Sequence, residues 1–105
     1  MPKVETRPFD VVNYLKTDED VVAYLTVVLE EGNASSFAAA LGDVARAKGM
    51  TEVARAAGLG RESLYKGLST SGNPELATVL RVMEALGLRL CASSAIREQR
   101  VSVEA

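Results

Sequence analysis

Apolar residues recur at steps of three and four along four stretches of the chain, which is the periodicity of a helix with one buried face. The stretches cover 17–31, 35–48, 50–69 and 74–86, and Leu, Val and Ala dominate each of them. This pattern predicts an all-α fold. The positions predicted to be buried are Val21, Val22, Leu25, Val28 and Leu29, then Phe37, Ala40, Leu41, Val44 and Ala45, then Leu64 and Leu68, and finally Leu76, Val79, Leu80, Met83 and Leu86.

Residues that cap or end helices place the boundaries of these elements. Thr17 is followed by three acidic residues, which suit the positive end of a helix dipole. Gly32, Gly49 and Gly87 are the predicted stops. Asp10 is the predicted N-cap of a short helix that ends at Leu15, and Thr17 is the predicted N-cap of the helix after it. Ser35 or Ser36 caps the following helix. Asn73 caps the last one, with Pro74 in its first position.

Residues 50–69 predict two short helices joined by a tight turn, the arrangement that places a second helix in the DNA major groove. Ala54 is small and lets the two helices approach closely. Gly58 stands where the first helix must end in a left-handed conformation, which costs most other residues about 1 kcal/mol or more. Leu64 and Leu68 are expected to anchor the second helix to the domain.

At about 100° per residue, the other side of that second helix carries polar and charged groups. They can hydrogen-bond base edges and phosphates, although an ordinary solvated helix face is the alternative. The residues on this outward arc are Arg61, Glu62, Tyr65, Lys66 and Ser69.

Individual roles on this arc follow from side-chain chemistry. The fork of Arg61 can pair with guanine O6 and N7. Glu62 either accepts from cytosine N4 or orients Arg61 by a side-chain pair. Lys66 suits a phosphate, and Tyr65 either donates to a phosphate or packs against the preceding helix. Thr51 is expected to cap the first helix of the pair and to touch the DNA backbone.

The charge is unevenly distributed although the net charge is only −2. Residues 1–31 hold three basic and seven acidic residues, whereas 46–66 hold five basic and two acidic ones. Arg46, Lys48 and Arg55 in the second segment either contact phosphates or serve solubility. The acidic N-terminal part either attracts a basic partner or serves solubility as well.

Composition argues against an enzyme. The chain has no His, the commonest general base at neutral pH, and Cys91 is its only cysteine. We expect Cys91 to be a buried, inert thiol, and we expect no metal and no cofactor. A lone cysteine fits a reducing cytoplasm, and no run of 18 apolar residues predicts a membrane span, so a soluble cytoplasmic protein is expected.

The domain organisation predicted from these patterns is a single helix-turn-helix domain over 1–105. A flexible arm occupies 1–8, N-terminal helices 9–31 and the DNA-binding core 35–87. Residues 88–92 alternate between apolar and polar, so 88–105 is expected to be a strand or a tail. A strand there needs a partner edge, which a symmetry mate can supply.

The order and spacing of several stretches resemble one family across residues 9–90. The stretches are Phe9-Asp-Val-Val-Asn-Tyr-Leu15, Ala38-Ala-Ala-Leu-Gly-Asp-Val-Ala-Arg-Ala-Lys-Gly-Met50, Gly58-Leu-Gly-Arg-Glu-Ser-Leu-Tyr-Lys66, Gly72-Asn-Pro74 and Leu86-Gly-Leu-Arg-Leu90. They resemble the probable addiction-module antidote proteins, a branch of the lambda-repressor-like (Xre-type) helix-turn-helix superfamily.

This resemblance implies a DNA-binding domain of five helices with extra N-terminal helices. It also implies an antitoxin that neutralises a RelE/ParE-like toxin encoded beside it and represses their shared operon by binding operator DNA, as a homodimer. By position, the superfamily's base readers fall at Arg61, Glu62 and Lys66, with Ser63 near enough for a phosphate contact. The alternatives are a stand-alone regulator without a toxin and a protein-interaction module that no longer binds DNA.

Two glycines depart from the family pattern. Gly60 stands where Ser or Thr usually caps the recognition helix, and it adds no side-chain acceptor. Gly67 is expected to lie inside that helix, where it costs about 1 kcal/mol relative to Ala. Both departures weaken the helix in isolation, so it is predicted to depend on packing against the rest of the domain.

Overall fold

The computed structural model describes residues 10–94, and this part of the chain is entirely helical apart from its connections. The flexible arm predicted over 1–8 and the end of the tail, 95–105, lie outside the described residues. No helix within the described part is long and apolar enough to cross a membrane. The elements are a 3-10 helix over Val11–Tyr14, α1 over Asp18–Glu31, α2 over Ala34–Lys48, α3 over Met50–Ala57, α4 over Arg61–Gly67 and α5 over Leu76–Ala85.

The predicted start and stop of α1 are confirmed. The Thr17 hydroxyl accepts a hydrogen bond from the Asp20 amide at 3.0 Å, and the Asp20 carboxylate accepts one from the Thr17 amide at 3.1 Å. The second bond, aided by the Lys16 amide, holds the pKa of Asp20 below its usual range. Gly32 ends α1 at φ 73°, in the left-handed region.

Two other predicted N-caps were wrong. The cap of α2 is Asn33 rather than Ser35 or Ser36, and its side chain accepts from the Ser36 amide at 3.0 Å. Asparagine is as good an N-cap as serine, and Asn33 lies two residues before Ser35, so the helix begins earlier than predicted. Helix α5 begins at Leu76 after an extended Glu75, so Asn73 does not cap it and Pro74 is not its first residue.

One apolar core joins all of these elements. The 3-10 helix and α1 pack on α2, α2 packs on α3, and α3 packs on α4 and α5. The largest fully buried side chains are Leu41, Leu64, Val21, Val44 and Val82. Val82 was absent from the predicted core, although it completes the α5 stripe.

Four residues that the pattern placed in the core are exposed instead. Val22 and Leu29 of α1 are 50% and 43% exposed, and Leu76 and Leu80 of α5 are 65% and 46% exposed. Each is on the flank of its helix rather than at the centre of the buried stripe. Periodicity finds the apolar side of a helix but does not show how much of it the neighbouring helices cover.

The predicted C-terminal strand is not seen between Leu88 and Ser94. Gly87 ends α5 at φ 78°, and the Leu88 amide donates to the Met83 carbonyl at 2.8 Å. The chain then runs without regular structure, because no second strand edge lies within the described residues to pair with it. Cys91 is exposed, so the expected burial of its thiol was wrong.

A close contact between α2 and the end of α4 requires a glycine. Gly42 is buried in α2, and a Cβ placed on it would collide with the carbonyl oxygen of Leu68. The absence of a side chain therefore lets the backbone of α4 approach α2, and it sets the depth at which Leu68 enters the core.

A polar link joins α1 to α2 at the edge of the core. The Tyr24 hydroxyl donates to the Asp43 carboxylate at 2.8 Å, and Arg46 donates to the other oxygen of that carboxylate at 2.6 Å. Burial of the phenol, together with its bond to Asp43, raises the pKa of Tyr24 to about 12.

We predict that Gly42→Ala lowers the free energy of unfolding by about 1–3 kcal/mol, because a methyl group overpacks the contact with Leu68. Helix propensity alone predicts the opposite sign, a gain of about 1 kcal/mol. Gly67→Ala is the matched control, since a Cβ there meets only Pro74, at an ordinary 3.8 Å. Urea denaturation compares the two, and an unchanged or raised stability for Gly42→Ala would contradict the close approach.

The Tyr24 link predicts a loss of stability at alkaline pH. The pKa of Tyr24 rises from 10.0 to about 12 on folding, so its contribution is complete below pH 10 and is lost as the pH rises towards 12. Denaturant midpoints measured across this range should fall less steeply for Tyr24→Phe than for the wild type. Identical slopes for the two proteins would show that the phenol is not held by Asp43.

Candidate nucleic-acid interface

Helices α3 and α4 are joined by the short turn that the sequence predicted. Gly58 ends α3 at φ 73°, and its amide donates to the Arg55 carbonyl at 3.1 Å. The next amide, that of Leu59, donates back to Ala54 at 2.9 Å, so the turn is closed by backbone bonds. Ala54 is 3% exposed, as the close approach of the two helices requires.

The two sides of α4 have opposite environments. Leu64 and Leu68, which were predicted to anchor the helix, are 1% and 6% exposed and belong to the core. The side chains on the other side are turned to solvent, and Tyr65 is 45% exposed. The exposed residues of this face, called the α4 face below, are Arg61, Glu62, Ser63, Tyr65 and Lys66.

Within the α4 face, Arg61 and Tyr65 contact each other. The Arg61 guanidinium carbon lies 5.4 Å from the centre of the Tyr65 ring, one helical turn away. This cation–π contact stabilises an exposed pair by about 0.5–1 kcal/mol and limits the directions in which the arginine can point. Tyr65 therefore supports Arg61 rather than packing into the core.

The side-chain pair between Arg61 and Glu62, one of the two roles considered for Glu62, is not formed. The ion pairs found in residues 10–94 are Arg46 with Asp43 at 2.6 Å and Lys48 with Asp18 at 3.5 Å. Exposed pairs of this kind contribute at most about 1 kcal/mol each. Five basic residues were considered for DNA contact. The two on α2, Arg46 and Lys48, are therefore paired with carboxylates. The three on α3 and α4 have no acidic partner among the described residues; they are Arg55, Arg61 and Lys66.

Thr51 is exposed in the first turn of α3 but does not cap that helix. The cap is Gly49, at φ 111°, and it makes no side-chain bond to the helix. Only this one residue separates α2 from α3, and Met50 is already helical and buried. Thr51 is therefore inside the helix, and its contact with DNA stays a prediction.

The two ends of α4 contribute little side-chain capping to this short helix. Gly60 caps it without a side-chain bond, as the departure from the family pattern implied. Gly67 is its last residue rather than an interior one, so the cost of an interior glycine does not apply to it. The Ser69 hydroxyl donates to the Lys66 carbonyl at 3.0 Å. Ser69, which was predicted to lie on the outward arc, therefore bonds to the C-terminal end of the helix instead.

A polar helix face of this kind offers hydrogen-bond donors and acceptors to a ligand. No group of three or more His, Cys, Asp or Glu able to hold a metal ion is found in residues 10–94. The site thus consists of the α4 face, with Thr51 and Arg55 on the preceding helix. It is a candidate surface for binding a ligand.

Comparison with known proteins identifies the family. The sequence profile of the family described as probable addiction module antidote protein matches residues 5–94. The chain therefore belongs to that family, which suggests an antitoxin role. It is also 47% identical over 85 residues to an uncharacterized protein of Haemophilus influenzae (strain ATCC 51907 / DSM 11121 / KW20 / Rd), across 81% of this chain and 88% of the relative. No solved structure matches the chain.

Proposed function

We propose that this protein is the DNA-binding antitoxin of a type II toxin–antitoxin module. It neutralises a RelE/ParE-like toxin by binding it, and it represses the operon that encodes both proteins. The observation that supports DNA binding is the α4 face, which leaves Arg61 and Lys66 exposed while Leu64 fixes the helix from below. Family membership supports the antitoxin role.

In this proposal α3 and α4 form a helix-turn-helix of the lambda-repressor-like, Xre type. Helix α4 enters the major groove, and α3 crosses the DNA backbone. A homodimer places two copies of α4 about 34 Å apart, one turn of the duplex, over a palindromic operator. The low net charge fits a protein that binds a limited site rather than one that coats nucleic acid.

Each residue of the α4 face has a role set by its chemistry. Arg61 reads guanine through its two parallel N–H groups, and the ring of Tyr65 limits the directions that its side chain can take. Glu62 has no ion-pair partner among the described residues, which leaves its carboxylate free to accept from cytosine N4. Lys66 and Ser63 contact phosphates, with Thr51 on α3 as a further backbone contact.

The toxin is the second partner. Toxins of the RelE/ParE-like class are small and basic, and the chain's acidic N-terminal part has the complementary charge. The adjacent gene is therefore expected to encode a basic protein that co-purifies with this chain. Co-expression without such a complex would favour a stand-alone regulator.

Arg61→Ala should weaken binding to the chain's own promoter DNA by about 1–3 kcal/mol, because one bidentate base contact is lost. Binding to random DNA should change much less. Arg81→Ala is the control, since it removes the same charge from an exposed position on α5. Fluorescence anisotropy with both duplexes, at two salt concentrations, makes the comparison.

The same titrations separate base readout from phosphate contact. Lys66→Ala should weaken binding to both duplexes alike and reduce the salt slope by about one. An equal loss on specific and random DNA for Arg61→Ala would contradict its role as a base reader. No binding of the wild type to either duplex would leave only the protein-interaction module.

A further inference from the structure

An apolar groove of about 450 Å³ runs along one flank of α1. Val22 and Leu29 form its α1 side, Leu88 and Leu90 form the opposite side, and Met83 of α5 also lines it. Val22 and Leu29 are about half exposed although they continue the apolar side of the helix. Apolar side chains that are exposed to solvent next to one another mark a surface that another molecule covers.

The apolar surface extends beyond the groove along α5. Leu76, Leu80 and Met83 are spaced by four and three residues, so they lie on one stripe of that helix. Leu76 and Leu80 are exposed, and the stripe enters the groove at Met83. Of these three residues only Met83, the buried end of the stripe, lines the groove itself.

The border of this groove is acidic on the α1 side. Helix α1 contains five carboxylates and no basic residue. Glu30 lines the groove, and helical geometry places Glu19 within about 20° of it around the axis. Arg89 adds one positive charge on the opposite side. A partner with an apolar ridge bordered by lysine or arginine complements this surface.

The same charges argue against a second copy of the chain as the occupant. A two-fold interface brings the same acidic-bordered patch of both copies together, and among the groove-lining residues only Arg89 of each copy would offset the carboxylates. Like charges facing each other in this way oppose association. A basic partner has no such penalty.

We infer that the groove is the toxin-binding surface and that it receives a basic amphipathic helix of the toxin; this inference rests on the proposed antitoxin function. The span from Val22 to Leu29 is roughly 10 Å along the axis, enough for about two turns of a docked helix. Apolar anchors of that helix enter between α1 and the segment after α5, and its basic residues face Glu19 and Glu30. The α4 face remains free for DNA.

The test uses a pair of valines on the same helix. Val22 lines the groove, whereas Val27 is 56% exposed and lies about 140° further round the axis. Val22→Glu should weaken binding of the basic protein encoded by the adjacent gene at least tenfold, and Val27→Glu should change it less than twofold. Both sites are exposed, so circular dichroism and binding to promoter DNA should match the wild type.

A second pair tests the charge. Glu30→Lys should weaken the complex several-fold, while Glu31→Lys, one residue on and about 100° further round, should have a smaller effect. Affinity is measured with purified proteins at two salt concentrations, and the difference within this pair should shrink at high salt.

The outcomes separate the inference from the proposed function. If the wild type does not bind the adjacent gene product, the antitoxin function fails and the inference fails with it. If the wild type binds and Val22→Glu binds equally well, only the groove assignment is overturned. If Val22→Glu instead converts a dimer to a monomer in sedimentation while toxin affinity is unchanged, the groove belongs to a second copy of the chain.

Discussion

The burial of two leucines under α4 is the interaction on which the rest of the structure depends. A helix of seven residues is too short to be stable in water on its own, since even good sequences need about 12–15 residues. Its N-cap is a glycine that makes no side-chain bond, so local capping adds little. Leu64 and Leu68 therefore hold the helix, and the close approach of Gly42 to Leu68 fixes how deeply it lies.

This way of holding α4 has a consequence for function. Since the apolar side carries the packing, the α4 face need not contribute to the core and can carry groups chosen for a ligand. Arg61 rests on the ring of Tyr65 and makes no ion pair within the described residues. Its position is thus limited before any ligand arrives, which lowers the entropy lost on binding. The acidic residues lie on α1, whereas Arg61 and Lys66 lie on the α4 face. The molecule therefore has two surfaces of opposite charge on different helices.

Much of the fold could be predicted from the sequence because its signals are local. A capping threonine with an acidic first turn, left-handed glycines and a three-and-four spacing each act within a few residues, and Thr17, Gly58 and Leu64 were placed correctly on those grounds. The errors concern contacts between elements. Whether Val22 or Val82 is buried depends on which neighbouring helix covers it, and no spacing along the chain contains that information.

The candidate site shows the same division. Exposure of the outward arc of α4 follows from the helical wheel, but the partner of Arg61 does not, because Glu62 and Tyr65 are both within reach of it. The groove beside α1 could not be predicted, since it combines residues from α1, α5 and the segment after Gly87. Its trace in the predicted core is the pair Val22 and Leu29, whose exposure is recognised only when burial is known.

The most direct test of this account is a titration of the isotope-labelled protein with a duplex from its own promoter, followed by amide chemical shifts in nuclear magnetic resonance. The largest shift changes are expected over 61–66, and α1 is expected to change little. A random duplex of equal length should produce smaller changes over 61–66. Large changes confined to other helices, with α4 unaffected by its own promoter, would contradict the claim that the leucines hold this helix in place to read DNA.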